Sequence, residues 1–254
     1  MLMNVTKSPS RAILYIRSSI YWIVLFFSTV LFSTLLLICF ALPITVRYVF
    51  AKGWAKTNRI ALRWICSLDC KIEGVENITR EPVIVFSKHQ SVYEIIILLS
   101  EMGVMAWVAK RELLWLPIFG WAFALSKPIT INRKAGGRAV DQVVRQGCSA
   151  LNEGRSVLIF PEGTRTAPGA RPNYRIGGSI LAERSGFPVL PVAHNAGEYW
   201  PRNTFLKLPG TVMLSIGPLI RTVDKSAEQI NEEAKNWIET KIQQINNSTS
   251  RLNN

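Results

Sequence analysis

The stretch PVIVFSKHQSVYEIIILLS, residues 82–100, decides how the chain is read. Residues 82–87 form an unbroken apolar run of about one strand's length. Alternation would mark a strand with one wet face; continuity marks a strand covered on both faces. Residues 93–100 carry helix signals, and the polar hinge Lys88, His89, Gln90, Ser91 separates the two. A doubly covered strand leading at once into a helix is the opening of a parallel crossover unit.

The same alternation continues outward. Strands are predicted at residues 104–109, 129–132, 156–160, 189–193 and 211–216. Helices are predicted at 136–153, closed by Gly154, and at 178–185. A last helix runs from Ser226 to about Ile245, with Ser226 and Gln229 as a capping box. Its stripe is Ile230, Ala234, Trp237, Ile238, Ile242 and Ile245. The fold class is therefore α/β, a mixed, largely parallel sheet flanked by helices, over residues 66–246. Residues 247–254 read as a polar, frayed tail.

Upstream the pattern is different. Residues 18–46 carry no charge, which is long enough to cross a bilayer and too long for a signal peptide's apolar core. Basic residues flank this run on both sides, and no acid precedes Asp69. Residues 1–65 are thus expected to be a membrane-embedded helical anchor. A single span and a re-entrant hairpin bent near Pro43 both remain open. The symmetric basic flanks favour the hairpin, because both then meet anionic headgroups on one side. From Arg47 to Arg63, basic residues interleave with Tyr48, Trp54, Ile60 and Trp64, which suits an interfacial helix.

The net charge of +13 implies an anionic partner. Eight basic residues precede the first acid around the apolar run, a distribution that suits lipid headgroups, and no nucleic-acid-binding signature is present. The four cysteines form no CxxC pair, so neither a disulfide framework nor a structural metal is expected. Cys66 and Cys70 read as buried thiols one turn apart on a helix.

Two places can carry chemistry. His89 follows the strand at 82–87, where open α/β sheets place their sites, and Glu94 lies five residues on. In one continuous helix that spacing turns the side chains about 140° apart. In a loop that becomes helical near Ser91, the carboxylate can return to the ring, fix its tautomer and leave the other nitrogen basic. The plainer alternative is a surface histidine beside an unrelated acid. The second place is FPEGTR, residues 160–165, also just past a buried strand. Glu162, Thr164 and Arg165 around Gly163 suit hydroxyl and phosphate binding, or else form a solvated turn. There is no G-x-S-x-G elbow, Walker A or G-x-G-x-x-G, so neither a serine hydrolase of that kind nor a nucleotide-binding enzyme is supported.

Taken in order, His89-x4-Glu94, ITINR at 129–133, FPEGTR at 160–165 and LPVA at 190–193 resemble the four blocks of the glycerolipid acyltransferases. Lys110-Arg-Glu-Leu113 resembles the segment between the first two blocks. The resemblance covers roughly residues 70–220 and implies the fold of that family. It also implies acyl transfer from acyl-CoA or acyl-carrier protein to the sn-2 hydroxyl of a lysophosphatidic acid. Glycerol-3-phosphate or a lyso-aminolipid such as lyso-ornithine lipid are the alternative acceptors. On this resemblance His89 is the base and Glu94 its partner. Lys110, Arg133, Glu162, Gly163, Thr164 and Arg165 bind the acceptor, and Pro191 lies on the acyl-donor side. No cofactor or metal is implied; the partners are lysophosphatidic acid, the acyl donor and membrane lipids, with no nucleic acid. A cytoplasmic-membrane location, with the catalytic domain facing the cytoplasm, follows as an expectation. Three positions depart from the family pattern: Glu94 stands for the usual Asp, Asn132 for an acid before Arg133, and Arg175 for a Lys near Tyr174.

Overall fold

The computed structural model describes residues 9–131 and 137–252, the last four by backbone alone. Seven strands form one sheet: β1 (Leu68–Glu73), β2 (Ile84–Ser87), β3 (Met105–Lys110), β4 (Ile129–Ile131), β5 (Ser156–Ile159), β6 (Val189–His194) and β7 (Gly210–Ile216). Their order is β1-β7-β6-β2-β5-β3-β4. Every neighbouring pair is parallel except β6 with β7. The sheet is therefore mixed and largely parallel, as the doubly covered apolar runs require. β2, whose four residues are all buried, lies at its centre.

Helices cover both faces. On one lie α1 (Arg11–Ile38), α2 (Ile44–Cys66), α3 (Tyr93–Glu101) and α4 (Phe119–Leu125), over a core that includes Tyr93, Ile96, Leu158 and Leu190. On the other lie α5 (Gly137–Asn152), α6 (Gly177–Ser185) and α8 (Ala227–Leu252), over Ile84, Phe86, Val157 and Ile238. A short α7 (Ala196–Tyr199) joins β6 towards β7. Because alternate side chains of a strand point to opposite faces, Ile84 and Phe86 serve one core and Val85 the other.

The chain reverses at residues 39–43, so α1 and α2 pack as an antiparallel hairpin. Polar contacts pin their seam: Tyr21 Oη donates to Asn58 Oδ1, Asn58 Nδ2 to Ser28 Oγ, and Trp54 Nε1 to Thr29 Oγ1. The Arg17 guanidinium donates to Ser67 Oγ, so the start of α1 lies beside the end of α2.

Four expectations need correction. The strand β1 has no counterpart in the sequence reading, because its two acids and a lysine break the apolar pattern. Cys70 consequently lies on a strand, while Cys66 ends α2, where Ser67 turns left-handed at φ 53°. The C-terminal helix does not fray at Ile245 but runs on to Leu252. Pro191 is buried inside β6, opposite Phe86 of β2, with its carbonyl accepting the Gly217 N–H. It lines no cleft, because a central strand position faces only the covering layers.

Candidate active site

The parallel strands β2, β3, β5 and β6 end on the same edge of the sheet, and the cleft is built there. β2 delivers Lys88 and His89, β5 delivers Phe160, β3 ends in Lys110, and β6 ends in His194. The cleft encloses about 400 Å³ and is lined by His89, Lys110, Phe160, Thr164, Arg165 and Arg202 among others.

The hinge between β2 and α3 is non-helical, and this brings Glu94 back to the ring. His89 Nδ1 lies 2.8 Å from Glu94 Oε1. The Gln90 and Ser91 N–H groups donate to the same carboxylate, which is completely buried at the N-terminus of α3. Burial alone pushes the Glu94 carboxyl up. The His89 hydrogen bond, the neighbouring imidazoles and the Ser91 N–H outweigh it and leave the group below its ordinary range. An ionised Glu94 requires the proton on Nδ1 and leaves Nε2 as the basic nitrogen. Phe160 stacks on the imidazole, ring centroids 3.9 Å apart at 15°, and fixes its plane.

The backbone of His89 is bracketed by the segment after β5. Its N–H donates to Glu162 Oε1 at 3.1 Å, and its carbonyl accepts from the Thr166 N–H and hydroxyl. Glu162 therefore points inward, not at a substrate. Gly163, at φ +71°, makes the tight turn that sends residue 162 to the interior and residues 164 and 165 to the cleft. Burial pushes the Glu162 carboxyl up to about 7, against the pull of Lys88. Gly163 itself lines a neighbouring apolar cavity with Arg175 and the start of α6, and its place in the site is in the turn.

Lys110, Thr164 and Arg165 do line the cleft. The Arg165 side chain reaches the cleft from the turn, while its Nε is buried without a partner among the described residues. Arg133 lies outside the described residues.

The structure adds Arg202 and Lys88, which the sequence reading lacked, and gives a place to His194, a weaker candidate in the sequence because it stands alone at the end of another strand. Arg202, on the loop after α7, lines the cleft and donates to the Arg165 carbonyl at 2.6 Å. Lys88, 1% exposed, forms an ion pair with Glu239 of α8 at 2.6 Å and lies 3.7 Å from Glu162. His194 is buried; its Nδ1 accepts from the Ala196 N–H, so Nε2 carries the proton donated to the Lys88 carbonyl at 2.7 Å. Burial lowers its pKa and keeps the ring neutral. No sequence pattern links these residues to His89, because the sheet, not chain proximity, brings them together. Among the described residues no His, Cys, Asp and Glu group could hold a metal.

An apolar cavity of about 310 Å³ adjoins the cleft between α1, α2, α3 and α4. Ile95, Trp107, Phe119 and Phe123 line both spaces, so the two share a wall.

A family model described as Acyltransferase matches residues 69–195. A 1-acyl-sn-glycerol-3-phosphate acyltransferase from Pseudomonas aeruginosa is 37% identical over 235 residues, 91% of each chain. An enzyme of the same name from Limnanthes douglasii is 29% identical over 176 residues, 68% of this chain and 62% of that one. The crystal structure of the 1-acyl-sn-glycerophosphate acyltransferase from Thermotoga maritima shares the fold. Its TM-score is 0.77 at 22% identity, over 91% of this chain and 95% of that one.

Proposed function

The chain belongs to the acyltransferase family, and from that premise we propose that it acylates the sn-2 hydroxyl of 1-acyl-glycerol-3-phosphate to give phosphatidic acid. The donor is acyl-CoA or acyl-carrier protein. The observation that carries this reading is the His89–Glu94 pair set at the mouth of a cleft whose charged side chains are Lys110, Arg165 and Arg202.

The chemistry needs a base, an anion site and room for a lipid chain. His89 Nε2 takes the proton of the sn-2 hydroxyl as that oxygen attacks the thioester carbonyl carbon. Glu94 keeps the imidazole in the right tautomer and stabilises its positive charge. Collapse of the tetrahedral intermediate breaks the C–S bond, and the imidazolium returns its proton to the leaving thiolate. The substrate hydroxyl is the nucleophile, so no acyl-enzyme forms. Lys110, Arg165 and Arg202 hold the acceptor's phosphate. Glu162 holds the His89 backbone and touches no substrate. The apolar cavity beside the cleft takes an acyl chain.

The hairpin supports a membrane location. α1 is long and apolar enough to cross a bilayer. The start of α1 and the end of α2 lie together, so Arg11, Arg17 and Arg63 share one end of the hairpin, which favours insertion from one side over a single span. We assign that side to the cytoplasm, where acyl donors are made, and the membrane to the bacterial inner membrane. High salt should leave the protein in the membrane pellet, since buried apolar area is not screened. The deciding assay offers purified enzyme lysophosphatidate, glycerol-3-phosphate and lyso-ornithine lipid with each acyl donor. Faster turnover of either competitor than of lysophosphatidate overturns the acceptor assignment.

A further inference from the structure

The catalytic domain carries an apolar surface of its own, outside the N-terminal hairpin. Trp115 is 72% exposed, Trp121 56% and Leu116 48%. Trp115 ends a 3₁₀ turn, Arg111–Trp115, and Trp121 lies on α4. The exposure is not poor packing, because the inner side of the same segment is fully committed. Gly120 brings α4 so close to the preceding turn that a Cβ there would sit 2.6 Å from the carbonyl oxygens of Leu113 and Leu114. Phe119, Ala122 and Phe123 turn inward to the cavity shared with α1. The two indoles are what that arrangement leaves outside.

What covers them follows from continuity and charge. α4 packs on α1, whose outer face is apolar along its length: Ile16, Ile20, Ile23, Phe27 and Leu31 are all exposed. The tryptophan patch therefore extends a surface already suited to lipid. Lys110 and Arg111, both exposed, open the segment beside Trp115. Indoles favour the boundary between acyl chains and headgroups, where basic side chains meet lipid phosphates.

We propose that residues 111–125 form a second membrane-seating element, with Trp115 and Trp121 in the headgroup layer of the leaflet that holds the hairpin. This rests on the membrane and acceptor reading above and deepens it. Phe119 and Phe123 of the same segment line both the apolar cavity and the catalytic cleft. Seating the segment sets that entrance against the leaflet, so a lysolipid slides from the bilayer to His89 without crossing water.

The test uses the full-length enzyme in phosphatidylcholine–phosphatidylglycerol vesicles and the double variant Trp115→Ser/Trp121→Ser; neither residue lines the cleft. With 1-oleoyl-lysophosphatidate in the vesicles, kcat/KM should fall about tenfold, while with water-dissolved 1-hexanoyl-lysophosphatidate it should stay within about twofold. Dibrominated lipids should quench less of the variant's tryptophan emission than of the wild type's. Trp115→Phe/Trp121→Phe should recover most of the vesicle rate, which a folding defect would not allow. Equal losses on both acceptors, or unchanged quenching, overturn the proposal. So does a dimer that becomes monomeric in the variant, since a second copy then covers the patch. If the wild type acylates neither acceptor, the functional reading fails, and quenching still decides the membrane seat.

Discussion

α1 and α8 are the two longest helices, 28 and 26 residues, and they cover opposite faces of one sheet with opposite sidedness. α8 buries Ile230, Ala234, Ile238 and Ile242 and exposes Glu228, Glu232, Glu233 and Gln243. α1 buries Ser18, Ser28 and Ser33 beside Tyr21 and exposes Ile16, Ile20, Ile23 and Phe27. In water the second arrangement strands large apolar surface and hides hydroxyls that must find partners inside. α8 has the sidedness of a helix in water, and α1 has the reverse.

Both helices nevertheless hold the loops around His89. α8 does so through Glu239 and the buried Lys88 next to His89. α1 does so through the loop after α7. Ser18 Oγ accepts the Lys207 N–H, Trp22 Nε1 donates to the Phe205 carbonyl, and Arg202 on that loop reaches the Arg165 carbonyl. The Lys207 ammonium, fully buried, sits 3.7 Å from the Trp22 ring centroid and 4.6 Å from that of Trp200.

The largest effect is expected where the two clamps converge. His89→Ala should lower kcat by about 10²–10⁴-fold while the protein stays folded and in the membrane pellet, because neither clamp uses the imidazole. A variant that keeps a tenth of the activity, by steady-state acyl transfer, breaks the base assignment. Next is the water-facing clamp. Glu239→Ala leaves the buried Lys88 ammonium with Glu162, at 3.7 Å, as its remaining carboxylate and should cost about 3 kcal/mol, a fall of roughly 6–12 °C in Tm for a chain of this size. Glu239→Gln, which keeps an acceptor, should lose less in the same calorimetric scan; equal losses would deny the ion pair a role.

Arg165→Ala sharpens the comparison on the lipid-facing side. Loss of a charge-assisted phosphate contact should raise KM for lysophosphatidate about 10–100-fold, with KM for the acyl donor little changed. An unmoved acceptor KM would leave Arg165 only its carbonyl contact with Arg202. The smallest effect is a slope. Burial lowers the Lys207 pKa to about 7, below its unfolded value of 10.5. Between these values the unfolded chain binds more protons, so this residue makes stability rise with pH from about 7 towards 10.5. Below pH 7 the cost of the buried charge is fully present. Lys207→Met should therefore gain most in Tm over wild type below pH 7, and the difference should shrink as pH rises. A difference that is flat with pH would mean that the aromatic faces compensate the charge completely.

Much of the site was legible before any coordinates. His89 and Glu94 can be paired from sequence because five residues and one hinge separate them. Thr164 and Arg165 stand out because a glycine turn follows a buried strand. The hydrophobic run at residues 82–87 announces a doubly covered strand. β1 was hidden because Asp69, Lys71 and Glu73 interrupt its apolar residues, and its strand character comes from pairing with β7, more than a hundred residues away. The direction of Glu162 was hidden too, since a motif names a residue type and not the side of a turn on which it falls.

The sequence by itself determined the alternation of strands and helices, the apolar N-terminal run with its basic flanks, and the pairing of His89 with Glu94. Each of these is set by periodicity, charge or spacing within a few residues. Only the tertiary structure decided that Arg202 meets Arg165, that Glu239 neutralises Lys88 and that Pro191 is core. The reason is physical: those contacts exist because parallel strands distant in the chain end on one edge, and no local pattern encodes which strands become neighbours.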